Sequence, residues 1–139
     1  AFPTPLGLFK RFIVEKGSQR GRIDLKKGGI FPIIHGIRSL ALEQRLKDPN
    51  TIRRIQALIR LGVLESSFGN DLIDAFEFMS GLRVKAGMEH AMAGRQGSSD
   101  HPDPDHLGRM ERELLRDSLV QVDQFKALID HHFRLRMLQ

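Results

Sequence analysis

The chain has 139 residues, 40% of them hydrophobic and 28% charged. That is the length of one domain with an ordinary globular composition, which excludes a disordered tail or a collagen-like chain. There is no Cys, which excludes disulfides and Cys-ligated zinc or iron–sulfur sites, and the 22 Lys and Arg against 17 Asp and Glu leave a formal charge of +5; such a charge permits an anionic partner without requiring one.

The elements follow in chain order. Leu6, Phe9 and Ile13 recur at helical spacing, and Pro5 suits a first turn, so a helix is expected over residues 5–14. A polar loop with Gly17 and Gly21 follows, then a short extended piece, Ile23-Asp24-Leu25, closed by Gly28-Gly29. A second helix is expected over about residues 30–46, with Ile30, Ile33, Ile34, Ile37, Leu40 and Ala41 on one stripe. Pro49 breaks it, and Asn50 or Thr51 caps a third, with Ile52, Ile55, Leu58 and Ile59 inward and Gly62 at its close. Ser66 or Ser67 is expected to cap a fourth, running through Leu72, Phe76, Met79, Leu82 and Ala86 toward Gly94. A loop over residues 95–105 leads to a long last helix over about residues 108–138. Its stripe is Met110, Leu114, Leu115, Leu119, Val122, Phe125, Ile129 and Phe133. No strand pattern and no repeat is visible. The expected fold is all-α: a single domain over residues 1–139, a bundle of about five helices, mostly antiparallel, with a long C-terminal helix.

No apolar run approaches the roughly 20 residues of a membrane span. All nine aromatics are Phe, read as core at helical spacing rather than as base-stacking platforms. The chain opens on Ala1 with no initiator Met and no signal-peptide pattern, so a fragment of a longer, cytoplasmic protein is expected.

Chemistry-bearing motifs are few. The stretch from Asp100 through His101, Asp103 and Asp105 to His106 is rich in metal-ligand types, but a solvated loop explains it better, and no metal site is expected. Lys26-Lys27-Gly28-Gly29 before a helix could present backbone N–H groups to a phosphate, although a turn explains it more simply, and neither a Walker loop nor GxGxxG is present. Asp74 and Glu77, near Arg83, suit surface ion pairs or the lining of a pocket between helices.

Several stretches together resemble a known bacterial family. They are Pro5-Leu6-Gly7-Leu8-Phe9, Ile23-Asp24-Leu25-Lys26-Lys27-Gly28-Gly29-Ile30, Arg38 with Leu40-Ala41-Leu42, and Asn50-Thr51-Ile52-Arg53-Arg54-Ile55. After them come Asp71-Leu72-Ile73-Asp74-Ala75-Phe76-Glu77-Phe78, Leu82-Arg83-Val84, and Glu111 with Leu114-Leu115. In this order they are similar to the C-terminal substrate-binding domain of nucleotidyltransferases that carry CBS or cyclic-nucleotide-binding modules, relatives of the PII uridylyltransferase. The resemblance implies a bundle beside an upstream catalytic domain in a signal-transduction protein. That catalytic domain would be uridylyl- or adenylyltransferase-like and would use Mg and a nucleotide triphosphate. This chain lacks its Gly-Ser and Asp-x-Asp signature in usable form, so the fragment alone is expected not to catalyse the transfer and to need no cofactor.

The resemblance implies substrate-binding roles for Lys26, Arg38, Asn50, Thr51, Arg54, Glu77 and Arg83. The arginines suit phosphate or carboxylate contact, and helix capping explains Asn50 and Thr51 equally well. Expected partners are the upstream nucleotidyltransferase and sensor domains of the same chain and a nucleotide or protein acceptor, with a homodimer as a further state and no nucleic acid. The alternative is a helical regulatory or dimerisation module. The sequence departs from the family pattern at His35 in place of Asp, Gly87 in place of Gln, and Gly108 in place of Ser.

Overall fold

A computed structural model describes residues 24–94 and 107–138. The helix expected over residues 5–14, the loop after it and the ligand-rich stretch at 100–106 lie outside the described residues. Within them the chain is helical, with no strand. A π-helical turn, Lys26–Ile30, runs directly into α1, Phe31–Glu43; α2 is Thr51–Arg60, α3 is Ser66–Met92, and α4 is Arg109–Met137. The expected all-α class and long last helix are what the structure shows, with four α-helices among the described residues.

The start of α1 differs from the sequence reading. Leu25 is already helical, at φ −65° and ψ −36°, and Gly28-Gly29 lie inside the π turn rather than ending an extended piece. The reason is local. The Lys27 backbone N–H donates to Asp24 Oδ1 at 2.9 Å, and the Gly28 N–H donates to the Asp24 carbonyl at 2.9 Å. Asp24 therefore satisfies donors that a helix start leaves without partners.

The glycines serve packing. A Cβ on Gly29 would lie 2.5 Å from Met79 Sδ on α3. One on Gly36 would overlap the Phe125 ring of α4 and reach 3.1 Å from Ile129 Cγ1, and one on Gly69 of α3 would lie 2.6 Å from Ile59 Cδ1 of α2. Gly29 sits near Leu119, Gly36 near Phe125, and Glu43 beside His132 and Arg136, so α1 runs parallel to α4. Helices α3 and α4 are antiparallel: Lys85 meets Glu111, whereas Phe68, earlier on α3, faces Phe125, later on α4. The core gathers Leu25, Ile33, Ile37 and Leu40 with Ile55 and Leu58, Leu72 and Met79, and Leu115, Leu119, Val122 and Phe125.

The stripes are largely as expected, with two corrections. Met110 is 72% exposed and Leu114 is 49% exposed, so the buried stripe of α4 begins at Leu115. On α3 Ala75 is buried, whereas Phe76 and Ala86 are half-buried. Caps are mixed. Asn50 Oδ1 accepts from the Arg53 N–H at 2.9 Å, as expected. Glu65, not Ser66 or Ser67, precedes α3, with no side-chain cap. Gly108 precedes α4, and Glu111 reaches back to its N–H at 3.4 Å. Helix α1 ends at Glu43, sooner than the sequence suggests. Leu46 N–H bonds to the Ala41 carbonyl at 2.9 Å and Arg45 N–H to the Leu42 carbonyl at 3.1 Å, with Arg45 at φ +59°. This is the C-terminal cap that glycine usually provides, as Gly62 does after α2 at φ +75°.

The two C-terminal ends are clamped. Glu43, whose side chain is 13% exposed, pairs through Oε1 with His132 Nε2 at 2.7 Å and accepts from Arg136 Nη1 through Oε2 at 2.5 Å. Burial alone would raise the Glu43 carboxyl, but the hydrogen bonds and charges of His132 and Arg136 outweigh it and hold the group below its ordinary value of 4.5.

Two predictions follow from this packing. Replacing Gly36 with Ala adds a methyl against a ring, an overpacking of roughly 1–3 kcal/mol that outweighs the ~1 kcal/mol gained in helix propensity. Gly36→Ala should therefore lower Tm. Gly81→Ala, with nothing within 4 Å of the new Cβ, should raise it; thermal melts that move both variants the same way would contradict the packing role. A carboxyl lowered in the folded state stabilises above its ordinary pKa and loses that effect as pH falls through its folded value. Glu43→Gln should cost about 1 kcal/mol at neutral pH, with the gap from the parent closing as pH falls below 4.5. Denaturant titrations across pH check this; a constant gap would count against it.

Candidate functional site

Several concavities open among the described residues. One, of about 430 Å³, lies between the start of α1 and the middle of α3, lined by Ile30, Ile34, Phe76, Ser80, Arg83, Val84 and Gly87. Its position follows from Gly29. Because Gly29 seats the π turn against Met79, Ile30 and Ile34 form one wall and the next face of α3 the other. Steps of three and four from Phe76 through Ser80 to Arg83 and Gly87 keep these residues on one helix face. The result is an apolar trough with a single half-buried guanidinium, Arg83, which also takes part in an interaction within the chain. Gly87, where the resemblance led us to expect Gln, leaves that end of the trough without a side chain.

A second concavity, about 360 Å³, lies between α1 and α4. Gly36 and Phe125 contribute to it, with His35, Ser39, Lys126 and Asp130 as its polar lining. His35 therefore lines a different opening from Gly87; its ring lies 5.5 Å from that of Phe31. A third, about 330 Å³, between α3 and α4, carries Asp71, Asp74 and Asp117 over Ala75, Phe78 and Leu114. The fourth, about 250 Å³, is lined by Arg109, Arg112, Glu113 and Arg116 at the start of α4. Among the described residues no group of three or more His, Asp or Glu is placed to hold a metal ion, and no helix is long and apolar enough to cross a membrane.

The seven residues singled out in the sequence separate into two groups. Asn50, Thr51 and Arg54 sit where the loop enters α2. Asn50 caps the helix, Thr51 is its first residue, and Arg54 Nε donates to the Asp48 carbonyl at 2.7 Å. Asp48 organises this loop: its Oδ2 accepts from Arg53 Nε at 2.6 Å and its Oδ1 from the Asn50 N–H at 2.9 Å. The Arg53 hydrogen bond, then that of Asn50, holds the Asp48 carboxyl below its usual range. These bonds close on the loop itself.

Lys26, Arg38, Glu77 and Arg83 belong to the elements that form the trough. Lys26 lies one turn before Ile30, with Nζ 5.2 Å from the Phe31 ring centroid. Arg38 is exposed and follows Ile34 by four residues, so it shares that face of α1. Glu77 is exposed on α3, three residues before Ser80. Only Arg83 of the seven lines the trough.

Asp74 lines a pocket between helices, one of the two roles the sequence suggested for it, whereas sequence reasoning missed Ser80, Asp71 and Asp117 of the third concavity and the arginines of the fourth. The arginines had a visible signal, their spacing of three and four. It also missed Asp123, which is 8% exposed on α4 with an Oδ1 that makes no hydrogen bond.

No curated protein and no solved structure matches the chain. A family described as "putative nucleotidyltransferase substrate binding domain" matches residues 1–133. That span leaves out only the last turn of α4 and the C-terminus, and it includes every residue of the trough and of the α2 entry loop: the chain belongs to this family of nucleotidyltransferase substrate-binding domains.

Proposed function

We propose that the trough between α1 and α3 is where this domain holds a nucleotide or the group that accepts one, beside an upstream nucleotidyltransferase domain of a bacterial signalling protein. The observation that carries the reading is one half-buried guanidinium at the side of an otherwise apolar trough of about 430 Å³. That is the usual composition of a small-molecule site: apolar walls for area, a few polar groups for orientation. Ile30, Ile34 and Phe76 would cover a base or an acyl chain. Arg83 would take a phosphate or carboxylate through its two-pronged fork. Lys26 and Arg38 add positive charge on the α1 side, and Glu77 stands at the α3 margin.

The residues described here do not make a magnesium site, so no transfer step is assigned to them. Mg and the triphosphate would be held by the upstream domain, with this bundle supplying orientation. On this reading Asn50, Thr51 and Arg54 hold the α2 entry in place and touch substrate less than Arg83 does.

A second reading, a dimerisation module, draws on a row of exposed apolar residues. Val84, Met88 and Met92 recur every four residues along α3 and are 63%, 62% and 85% exposed. Met side chains adapt readily to partner surfaces.

Binding of nucleoside triphosphates with magnesium, followed by calorimetry, tests the first reading. Arg83→Lys keeps the charge and loses the fork, so affinity should fall about tenfold or more, and Arg83→Ala should do no better. Affinities equal to the parent's would remove Arg83 from the site. Light scattering tests the second: a mass that rises with concentration in the parent but not in Met88→Glu supports a dimer, and a strict monomer ends it.

A further inference from the structure

The first turns of α4 carry charge that their own helix disfavours. Arg109, Arg112 and Arg116 are exposed and line one concavity of about 250 Å³. Steps of three and four residues put them on one helix face, and like charges at those spacings destabilise a helix. Arg109 and Arg112 also stand at the N-terminal end, where the unpaired N–H groups make a cation unfavourable.

Among the described residues no carboxylate pairs with them. Glu113 stands four residues after Arg109 and three before Arg116, the right spacing for an ion pair, but among the described residues none of the three arginines is in one. Glu111 is turned elsewhere, toward Lys85 Nζ at 3.3 Å and the Gly108 N–H. The contrast with the other end of α4 is direct. There Arg134 pairs with Asp130 and Arg136 with Glu43, and a cation at a helix C-terminus is favourable in any case. Among the described residues neither helix electrostatics nor ion pairing accounts for the arginines at the start.

We propose that Arg109, Arg112 and Arg116 form a binding site for an oligophosphate, a chain of linked phosphates borne by a nucleotide or free in solution. The size of the array selects the ligand. From Arg109 to Arg116 the helix rises about 10.5 Å, at roughly 1.5 Å per residue. Each fork matches two phosphate oxygens, so one phosphate leaves at least one guanidinium uncompensated, whereas a di- or triphosphate meets all three. Among the described residues no apolar or aromatic side chain lines the concavity, and all of its lining is on α4. The site goes beyond the trough, since it recognises the phosphate chain and not what the chain is attached to.

The test is calorimetry on the intact chain at low ionic strength, with orthophosphate, pyrophosphate, tripolyphosphate, ATP and adenosine as probes. Tripolyphosphate should bind about tenfold or more tightly than orthophosphate, and R109Q/R112Q/R116Q should lose about tenfold or more of that affinity. R45Q/K47Q/R60Q removes the same charge from exposed positions elsewhere and should change affinity by less than about twofold. ATP binding as tightly as tripolyphosphate, and lost in the same variant, assigns the chain to a nucleotide; ATP binding much more weakly assigns it to free oligophosphate. Equal losses in the two triple variants, or orthophosphate binding as well as tripolyphosphate, would overturn the site. So would a Tm for R109Q/R112Q/R116Q below the parent's, because relief of repulsion should leave it unchanged or higher. The loss in R109Q/R112Q/R116Q is read with Arg83 and the rest of the trough intact, so failure of the trough reading would leave this result standing.

Discussion

How closely α1 can approach its neighbours decides where everything else in this bundle lies. The parallel run of α1 along α4 is possible because Gly36 presents bare backbone to the Phe125 ring, the largest fully buried side chain among the described residues. Gly29 does the same for Met79 of α3. Interiors packed to crystal-like density cannot absorb an added methyl by small shifts of many atoms. The glycines therefore set the spacing, and the spacing sets the walls of the trough. A helix pushed outward at Gly29 would carry Ile30 and Ile34 away from Phe76 and Arg83. The same two glycines weaken the helix they belong to, by roughly 1 kcal/mol each relative to Ala. For Gly36 that cost falls in the middle of α1, and for Gly29 just before it, where the chain already relies on Asp24 to satisfy its first N–H groups.

This explains what could be read from the sequence and what could not. The stripes of α1 and α2 were legible because burial follows period when a helix has a partner along its whole length: Ile33, Ile37, Ile55 and Leu58 are all fully buried. The start of α4 misled because periodicity records apolar residues and does not record whether anything covers them. Met110 and Leu114 continue the stripe in sequence but face solvent. Gly28-Gly29 read as a break because glycine favours turns, yet here its use is the absence of a side chain rather than an unusual φ. Arg45 at φ +59° lay beyond sequence reasoning altogether, since nothing in its identity marks it for a conformation that glycine fills after α2 and α3.

The site was legible only in outline. Order and spacing identified the family, and of the seven residues singled out Arg83 alone lines the trough. Asn50, Thr51 and Arg54 looked equally suggestive in sequence, but their bonds end within a few residues, on Asp48 and on the first N–H groups of α2. Motif matching cannot separate these cases, because the polar residue that ends a helix and the polar residue that meets a ligand are drawn from the same few types.

Geometry separates them by asking where each group's hydrogen bonds go. In the α2 entry loop the bonds of Asp48, Asn50, Arg53 and Arg54 close on one another, and the Arg53 and Asn50 hydrogen bonds hold the Asp48 carboxyl low. Glu43, His132 and Arg136 form a second closed set, and it fastens α1 to α4 at the end away from the trough. At the start of α4 the accounting does not close. Three guanidiniums share a face and repel one another, the first two also oppose the helix dipole, and among the described residues the carboxylate best placed to answer them does not. Stability alone does not call for that arrangement, since one acidic substitution would relieve it. An outside anion would complete it, and the arginines' span along the helix would then set how long that anion is.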